Sequence, residues 1–228
     1  MSRPSFDTLA TAALAACTAT TFSNPAEVAK TRLQLQGELV KKGTYQPVYL
    51  GPTDVLRKAW RSEGIQGIQR GLTGALAYSA LLQTCILALY EPFRGALNVL
   101  AGKTPSDRYL ASTIGGGTCT GIVGAFLGNP LFLIKARMQA YSPAFPVGAQ
   151  RYYKSAWDAL RSIYISDGFT GLFRGSSAAM FRTSLGTSVQ MPTYFFAKSR
   201  LVEYGILRAE APLTVITSSA AAGGMVVG

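Results

Sequence analysis

The chain has 228 residues, with 22 basic against 11 acidic side chains and no histidine, for a net charge of +11. Hydrophobic residues make up 48% and charged residues only 14%, at a mean hydropathy of +0.21; a soluble domain carries about 25% charged residues. That deficit, with 24 glycines, points away from a soluble enzyme or nucleic-acid binder and towards an all-α, polytopic membrane protein. The absence of histidine excludes His-based acid–base catalysis and His metal ligands. The basic excess suits anionic lipid headgroups or a cavity that attracts anionic solutes. Cys17, Cys85 and Cys119 lie in apolar small-residue segments with no metal-type spacing, and their odd number is no disulfide framework; they read as buried bystanders.

Residues 1–24 resemble a signal peptide but continue without a break into a proline motif, and residues 112–129 hold the equivalent place later on. They therefore read as a retained membrane helix. The motif runs from Pro25 to Gln34, placing Glu27, Lys30, Arg32 and Gln34 within a few turns, and Pro25 is expected to kink the helix. Glu27 and Lys30, three residues apart, share a helix face. Residues 37–52 read as a polar loop. The segment from Thr53 to Gly64 opens on a cap-like Thr53–Asp54 pair and has helical apolar spacing, as expected of an amphipathic surface helix. It leads into Glu63-Gly64 and Arg70-Gly71, and then into a nearly uncharged span, 72–90, closed by Tyr90-Glu91-Pro92-Phe93-Arg94.

The same order then returns. A small-residue span, 109–129, carries Gly117/Gly121 and Gly124/Gly128 at a spacing that permits close helix contact. Pro130 to Gln139 repeats the first proline motif 105 residues later, so that Lys135 matches Lys30 and Gln139 matches Gln34. A polar loop (142–154), an amphipathic segment (155–166), Asp167-Gly168 and Arg174-Gly175 follow at an offset of 104. The next span, 176–197, ends at Tyr194 and Lys198. The chain thus divides into repeats at 1–100 and 105–205, with a third unit starting at 206–228. A third proline falls due near residue 234 by that offset, so the third unit is expected to be incomplete. The Gly115–Gly117 run lacks the strand and lysine of a phosphate loop and reads as helix packing.

The pattern P-x-[DE]-x-x-[KR]-x-[KR]-x-Q, followed about 30 residues later by [DE]-G-x(5)-[KR]-G, resembles the mitochondrial carrier family (solute carrier family 25), whose members are built of tandem repeats. Asn24-Pro25 through Leu39, Asn129 to Phe132 and Ala136 to Gln139 look most like its oxaloacetate/dicarboxylate-type carriers. The resemblance implies a helical bundle of two-span repeats in the mitochondrial inner membrane. It also implies transport of a small anionic metabolite by alternating access, with no enzyme activity and no cofactor or metal. The lipid bilayer, with cardiolipin a candidate, is the other expected partner; no nucleic acid is expected, and the full-length protein should be monomeric.

Carried over residue by residue, the resemblance makes Glu27, Lys30 and Lys135 the matrix-side gate, braced by Gln34 and Gln139. Tyr90, Glu91, Arg94, Tyr194 and Lys198 match the cytoplasmic gate. Two positions depart from the pattern: Phe132 and Phe195 stand where acidic residues are expected, which removes one potential ion pair from each gate and should weaken both together. Counting from Arg-Gly places the substrate contacts at Arg182 and Thr183 in the second repeat and at Tyr78, with Gln83, in the first. Arg182 is the only charged residue between Arg174 and Lys198. A lone arginine inside a span marks a functional site, and its guanidinium suits a carboxylate. The competing reading is a truncated, non-transporting membrane protein, because two repeats would leave polar cavity residues facing lipid; a carrier for a different anion is the other alternative.

Overall fold

The structure is a computed structural model that describes residues 6–38, 48–105, 107, 109–147, 150–204 and 212–227. These form helices α1 (Phe6–Glu38), α2 (Pro52–Ile68), α3 (Leu72–Leu100), α4 (Leu110–Ala140), α5 (Ala156–Leu172), α6 (Ser176–Glu203) and α7 (Pro212–Val227). The fold is all-α, with no strand among the described residues. Four of the helices run on through an internal proline: Pro25, Pro92, Pro130 and Pro192. Of the polar loop expected at 37–52, residues 39–47 lie outside the described residues; of the third unit expected at 206–228, residues 206–211 and 228 do, and α7 makes up the rest.

Glycine decides where the short helices bend. In α2 the chain leaves helical geometry at Gly64 (φ 65°, ψ −153°), and in α5 it does so at Gly168 (φ 69°, ψ −169°). Both lie in the left-handed region, where a Cβ is strained. The acidic residue before each glycine is thereby set at a corner rather than along a straight helix face. At the N-terminus of α2, Pro52 occupies the first turn, where its missing N–H does no harm. Thr53–Asp54 does not cap the helix as expected: the backbone cap is Gly51, and Asp54 instead accepts the Leu50 N–H (3.0 Å) and the Lys58 ammonium (2.8 Å). Those two bonds, Lys58 first, hold the Asp54 carboxyl below its ordinary value. In α5, Ser155 caps the helix by accepting the Asp158 N–H.

The chain packs as two compact units. One comprises residues 10–83 and 128–174, the other residues 1–9, 84–127 and 175–228. In the first, Ile134, Tyr153, Ala159, Ile163 and Leu172 form one buried cluster between α4 and α5. Ala29, Tyr49, Val55 and Val147 form another around α1 and α2. In the second unit, α7 packs on α6, and α4 meets α6 at Gly117 and Gly121. A Cβ on Gly117 would lie 2.7 Å from the Thr187 carbonyl oxygen, and one on Gly121 2.8 Å from the Ser184 Cα. Thr187 Oγ1 donates to the Gly117 carbonyl across the same contact (2.7 Å).

Among the described residues, two helices are long and apolar enough by composition to cross a bilayer, α3 (mean hydropathy 1.6) and α4 (1.5). α1 and α6 reach 33 and 28 residues but are rich in threonine, serine and charge. Threonines there donate to a carbonyl four residues back, Thr18 to Leu14 and Thr21 to Cys17 on α1 and Thr193 to Val189 on α6, as do Thr118 to Ile114 on α4 and Thr217 to Leu213 on α7. The three cysteines are free and half-buried rather than buried.

The close α4–α6 approach makes a testable claim. Gly117→Ala and Gly121→Val each push side-chain atoms against backbone and should destabilise the protein by about 1–3 kcal/mol, read as a lower melting temperature in detergent. Gly51→Ala, at φ 174° with open space around it, should stay within about 0.5 kcal/mol of the parent.

Candidate functional site

In the unit of residues 10–83 and 128–174, α1 and α4 bring their proline motifs together. Lys135 Nζ lies 2.7 Å from Glu27 Oε2, with the lysine side chain 10% exposed and the glutamate 38%. Gln139, 2% exposed, donates to Asn24 Oδ1 (2.9 Å) and to Glu27 Oε2 (3.3 Å). Asn24 in turn donates to Gln69 Oε1 (3.0 Å), whose amide reaches the Thr21 carbonyl. Glu27, Lys135 and Gln139 therefore meet in one cluster. Lys30 and Gln34 stand outside it: both are exposed on α1, and Glu27 pairs across to α4 rather than with Lys30 on its own face.

Beside this cluster lies a second, deeper ion pair. Arg32 and Glu63 make a two-pronged contact (2.9 and 3.1 Å) with side chains only 1% and 2% exposed. Arg32 also donates to the carbonyls of Gln139 and Tyr141 at the end of α4. Glu63 further receives the Ser142 hydroxyl (2.6 Å) and lies 3.5 Å from Arg70, whose guanidinium stacks 4.9 Å from the Tyr141 ring centre. The equivalent pair in the second repeat is looser: Arg137 lies 3.7 Å from Asp167, with side chains 28% and 40% exposed, and also donates to the Tyr153 hydroxyl. Arg137 and Arg151 line an open cavity of about 530 Å³ together with Thr31, Leu35 and Gln150.

Tyr78 belongs to the same unit. Its ring packs against Phe132 (5.4 Å between centres) and lies 5.6 Å from Lys135 Nζ. A Cβ on Gly128 would come within 3.0 Å of that ring, so the glycine makes room for it. Phe132, at the motif's acidic position, thus joins an aromatic pair that contributes roughly 0.5–1.5 kcal/mol beyond burial. An exposed ion pair contributes about 0–1 kcal/mol. Gln83 is half-buried on α3.

In the other unit, Phe195 makes the matching substitution and stacks on Tyr90 (6.1 Å, 26° between planes). Tyr194 meets Phe195 edge-on at 5.5 Å. Arg94, only 5% exposed, pairs with Glu91 on its own helix and donates to the Asp107 carbonyl, which also accepts Asn98. Lys198 lines a cavity of about 410 Å³ with Phe195 and Ser199. Among the described residues of this unit, both ion pairs, Glu91–Arg94 and Arg200–Glu203, lie within single helices.

Arg182 is exposed on α6 and Thr183 half-buried. Around the helix, the exposed residues Phe181, Leu185, Val189 and Phe196 recur at helical spacing as an apolar stripe. Arg182 and Gln190 lie beside it on an exposed polar stripe, while Ser184 and Thr187 are buried. Asn24, Arg32, Glu63 and Gln69 join the cluster as structural partners that the motif spacing does not single out. The signal for the first was the Asn-Pro pair at 24 and its copy at 129, where Asn129 donates to the Leu172 carbonyl (2.8 Å).

The model of the family described as mitochondrial carrier protein matches residues 2–99 and 106–205. The chain is 43% identical to the mitochondrial oxaloacetate transport protein of Schizosaccharomyces pombe, over 92% of this chain and 65% of that one. It is 44% identical to mitochondrial citrate transporter E of Aspergillus niger, over 84% and 62% respectively. A mitochondrial oxaloacetate transport protein of Saccharomyces cerevisiae is 38% identical over 96% of this chain and 67% of its own length. The matches thus span about two thirds of these relatives.

The buried pair yields a non-additive prediction. Glu63→Leu leaves the Arg32 charge buried without its carboxylate and should lower stability by about 3–5 kcal/mol. Arg32→Met combined with Glu63→Leu should lose clearly less than the single Glu63→Leu change, a comparison made by thermal unfolding in detergent.

Proposed function

Because the chain belongs to the mitochondrial carrier proteins, we propose that it moves small carboxylates, oxaloacetate- or dicarboxylate-like, by alternating access between two gates. Members of that family are multi-pass helical proteins of the mitochondrial inner membrane and act as transporters, not enzymes; this chain shares that location and class. Arg182 carries the substrate reading. It stands exposed on α6 in a stretch with no other charge between Arg174 and Lys198. A cation at that depth is expensive unless it meets an anion or water, and a guanidinium presents the paired donors a carboxylate accepts. Thr183 beside it supplies a polar group for orientation in this reading, and Tyr78 and Gln83 on α3 are separate candidate contacts.

The gates give the cycle its two states. Glu27 and Lys135, held by Gln139, close the matrix side in this reading, and the cross-helix pair between them represents that gate shut. Glu91 and Arg94 pair with each other within α3, so this charge pair does not itself join two helices. A substrate shifts such a balance only by binding one state better than the other. The names of the oxaloacetate transporters favour a dicarboxylate; citrate transporter E, at 44% identity, supports a tricarboxylate as the second reading.

Uptake into proteoliposomes tests this, with labelled oxaloacetate, a C4 dicarboxylate, citrate and a neutral metabolite offered in turn. The expected result is saturable carboxylate uptake with the neutral compound excluded. Arg182→Ala should cut kcat/KM by about 10- to 100-fold, the worth of a charge-assisted bond, and Arg182→Lys should recover part of it. Unchanged uptake in Arg182→Ala would overturn the assignment.

A further inference from the structure

The two motif departures share one structural solution. Each phenylalanine that replaces an expected acid packs against a tyrosine of α3: Phe132 against Tyr78, and Phe195 against Tyr90. At the inner gate the arrangement does more than fill space. The Tyr78 ring presents its negative face to Lys135, 5.6 Å away, while Lys135 holds Glu27 at 2.7 Å. Gly128 on α4 leaves room for the ring, and Gly74, one turn from Tyr78 on α3, lets the two helices approach at Lys135, where a Cβ would lie 3.3 Å from the Lys135 nitrogen. The lysine is thus bound on one side by a carboxylate and covered on another by an aromatic face, with only 10% of its side chain exposed. Covering an ion pair from water strengthens it, and a cation on a ring gains further when desolvated.

We propose that Tyr78 and Phe132 form an aromatic cap on the Lys135–Glu27 pair, and that Tyr78 is the positioning residue linking substrate binding to the inner gate. The cap takes the part of the ion pair that Phe132 forgoes. Tyr78 is also a substrate-contact residue in the carrier reading, on which this coupling rests. A carboxylate that displaces the ring uncovers Lys135 to water and weakens its hold on Glu27; the same event adds an anion near a lysine. A gate built this way is opened by moving one ring rather than by breaking two ion pairs. Phe132 packs on the Tyr78 ring but is not itself one of the proposed substrate contacts, which lets the two roles be separated.

Thermal unfolding of the full chain in detergent reads the cap without any substrate. Tyr78→Leu and Lys135→Gln should each lower the melting temperature, and the double variant should lose less than the two combined. Tyr78→Phe, which keeps the ring, should fall nearer the parent than Tyr78→Leu does. In proteoliposomes with a carboxylate, Phe132→Leu should change kcat about 3- to 10-fold, the range of a partly buried cation–ring contact. Its KM should stay within about twofold, and Phe132→Tyr should restore kcat. Strictly additive melting shifts, or a Phe132→Leu effect confined to KM, would overturn the proposal. If no carboxylate is transported even by the parent chain, the carrier reading of the substrate fails, and the melting cycle alone decides whether the cap exists.

Discussion

A guanidinium and a carboxylate withdrawn from water hold one half of this chain in register. The pair of Arg32 and Glu63 is nearly inaccessible, and its net worth does not lie in the attraction itself, which desolvation largely offsets. Its hold lies in what would follow if either partner moved: a buried charge with no counter-charge. Arg32 comes from α1, Glu63 from the corner of α2, and the remaining donors of Arg32 go to the carbonyls of Gln139 and Tyr141 at the end of α4. A helix end has carbonyls without intrahelical partners, and here a side chain from another helix satisfies them. Three elements are therefore fixed by one residue. The lighter pair of Glu27 and Lys135 sits next to this anchor, where it can change partners without the unit coming apart.

The internal repeat is chemically uneven in the structure. Its first copy has the tight Arg32–Glu63 pair, whereas the second has Arg137 and Asp167 at 3.7 Å and far more exposed. The same unevenness marks the proposed gates, where both departures from the acidic pattern belong to the second repeat, at Phe132 and Phe195. In each case an aromatic contact with α3 stands in place of charge. The two copies of a duplicated plan thus differ: the acidic motif positions are kept in the first, at Glu27 and Glu91, and replaced by rings in the second.

Much of this was legible from residues. Helix class and order followed from apolar spans and surface-helix spacing, but the bends at Gly64 and Gly168 did not, because an acid–glycine pair does not by itself give the backbone angle. Gly117 and Gly121 were read as a close-packing pair, and they touch α6. Side-chain partners were harder, because a motif gives a residue's place along its own helix but not what lies opposite. Lys30 shares a face with Glu27 by spacing, yet Glu27 turns to α4, since a lysine there is partly desolvated and cannot find a partner in water. Gln34 and Gln139 are equivalent by count, but one is exposed and the other buried. At the start of α2, Thr53 and Asp54 have the character of cap residues, whereas Pro52 already lies in the first turn behind Gly51.

The threonines that bond back to their own helix bear on how the less apolar helices can live in lipid. Hydropathy averages charge each hydroxyl as if it went into hydrocarbon with its donor unmet. In Thr18, Thr21 and Thr193 that donor is already bonded to a carbonyl one turn earlier, so what the side chain shows outward is chiefly its methyl group. A helix such as α1 is then oilier to a lipid tail than its letters suggest. Scales that score residues one at a time will overlook spans of this kind, and the oversight will be greatest in proteins that line a wet passage with the opposite face of the same helix.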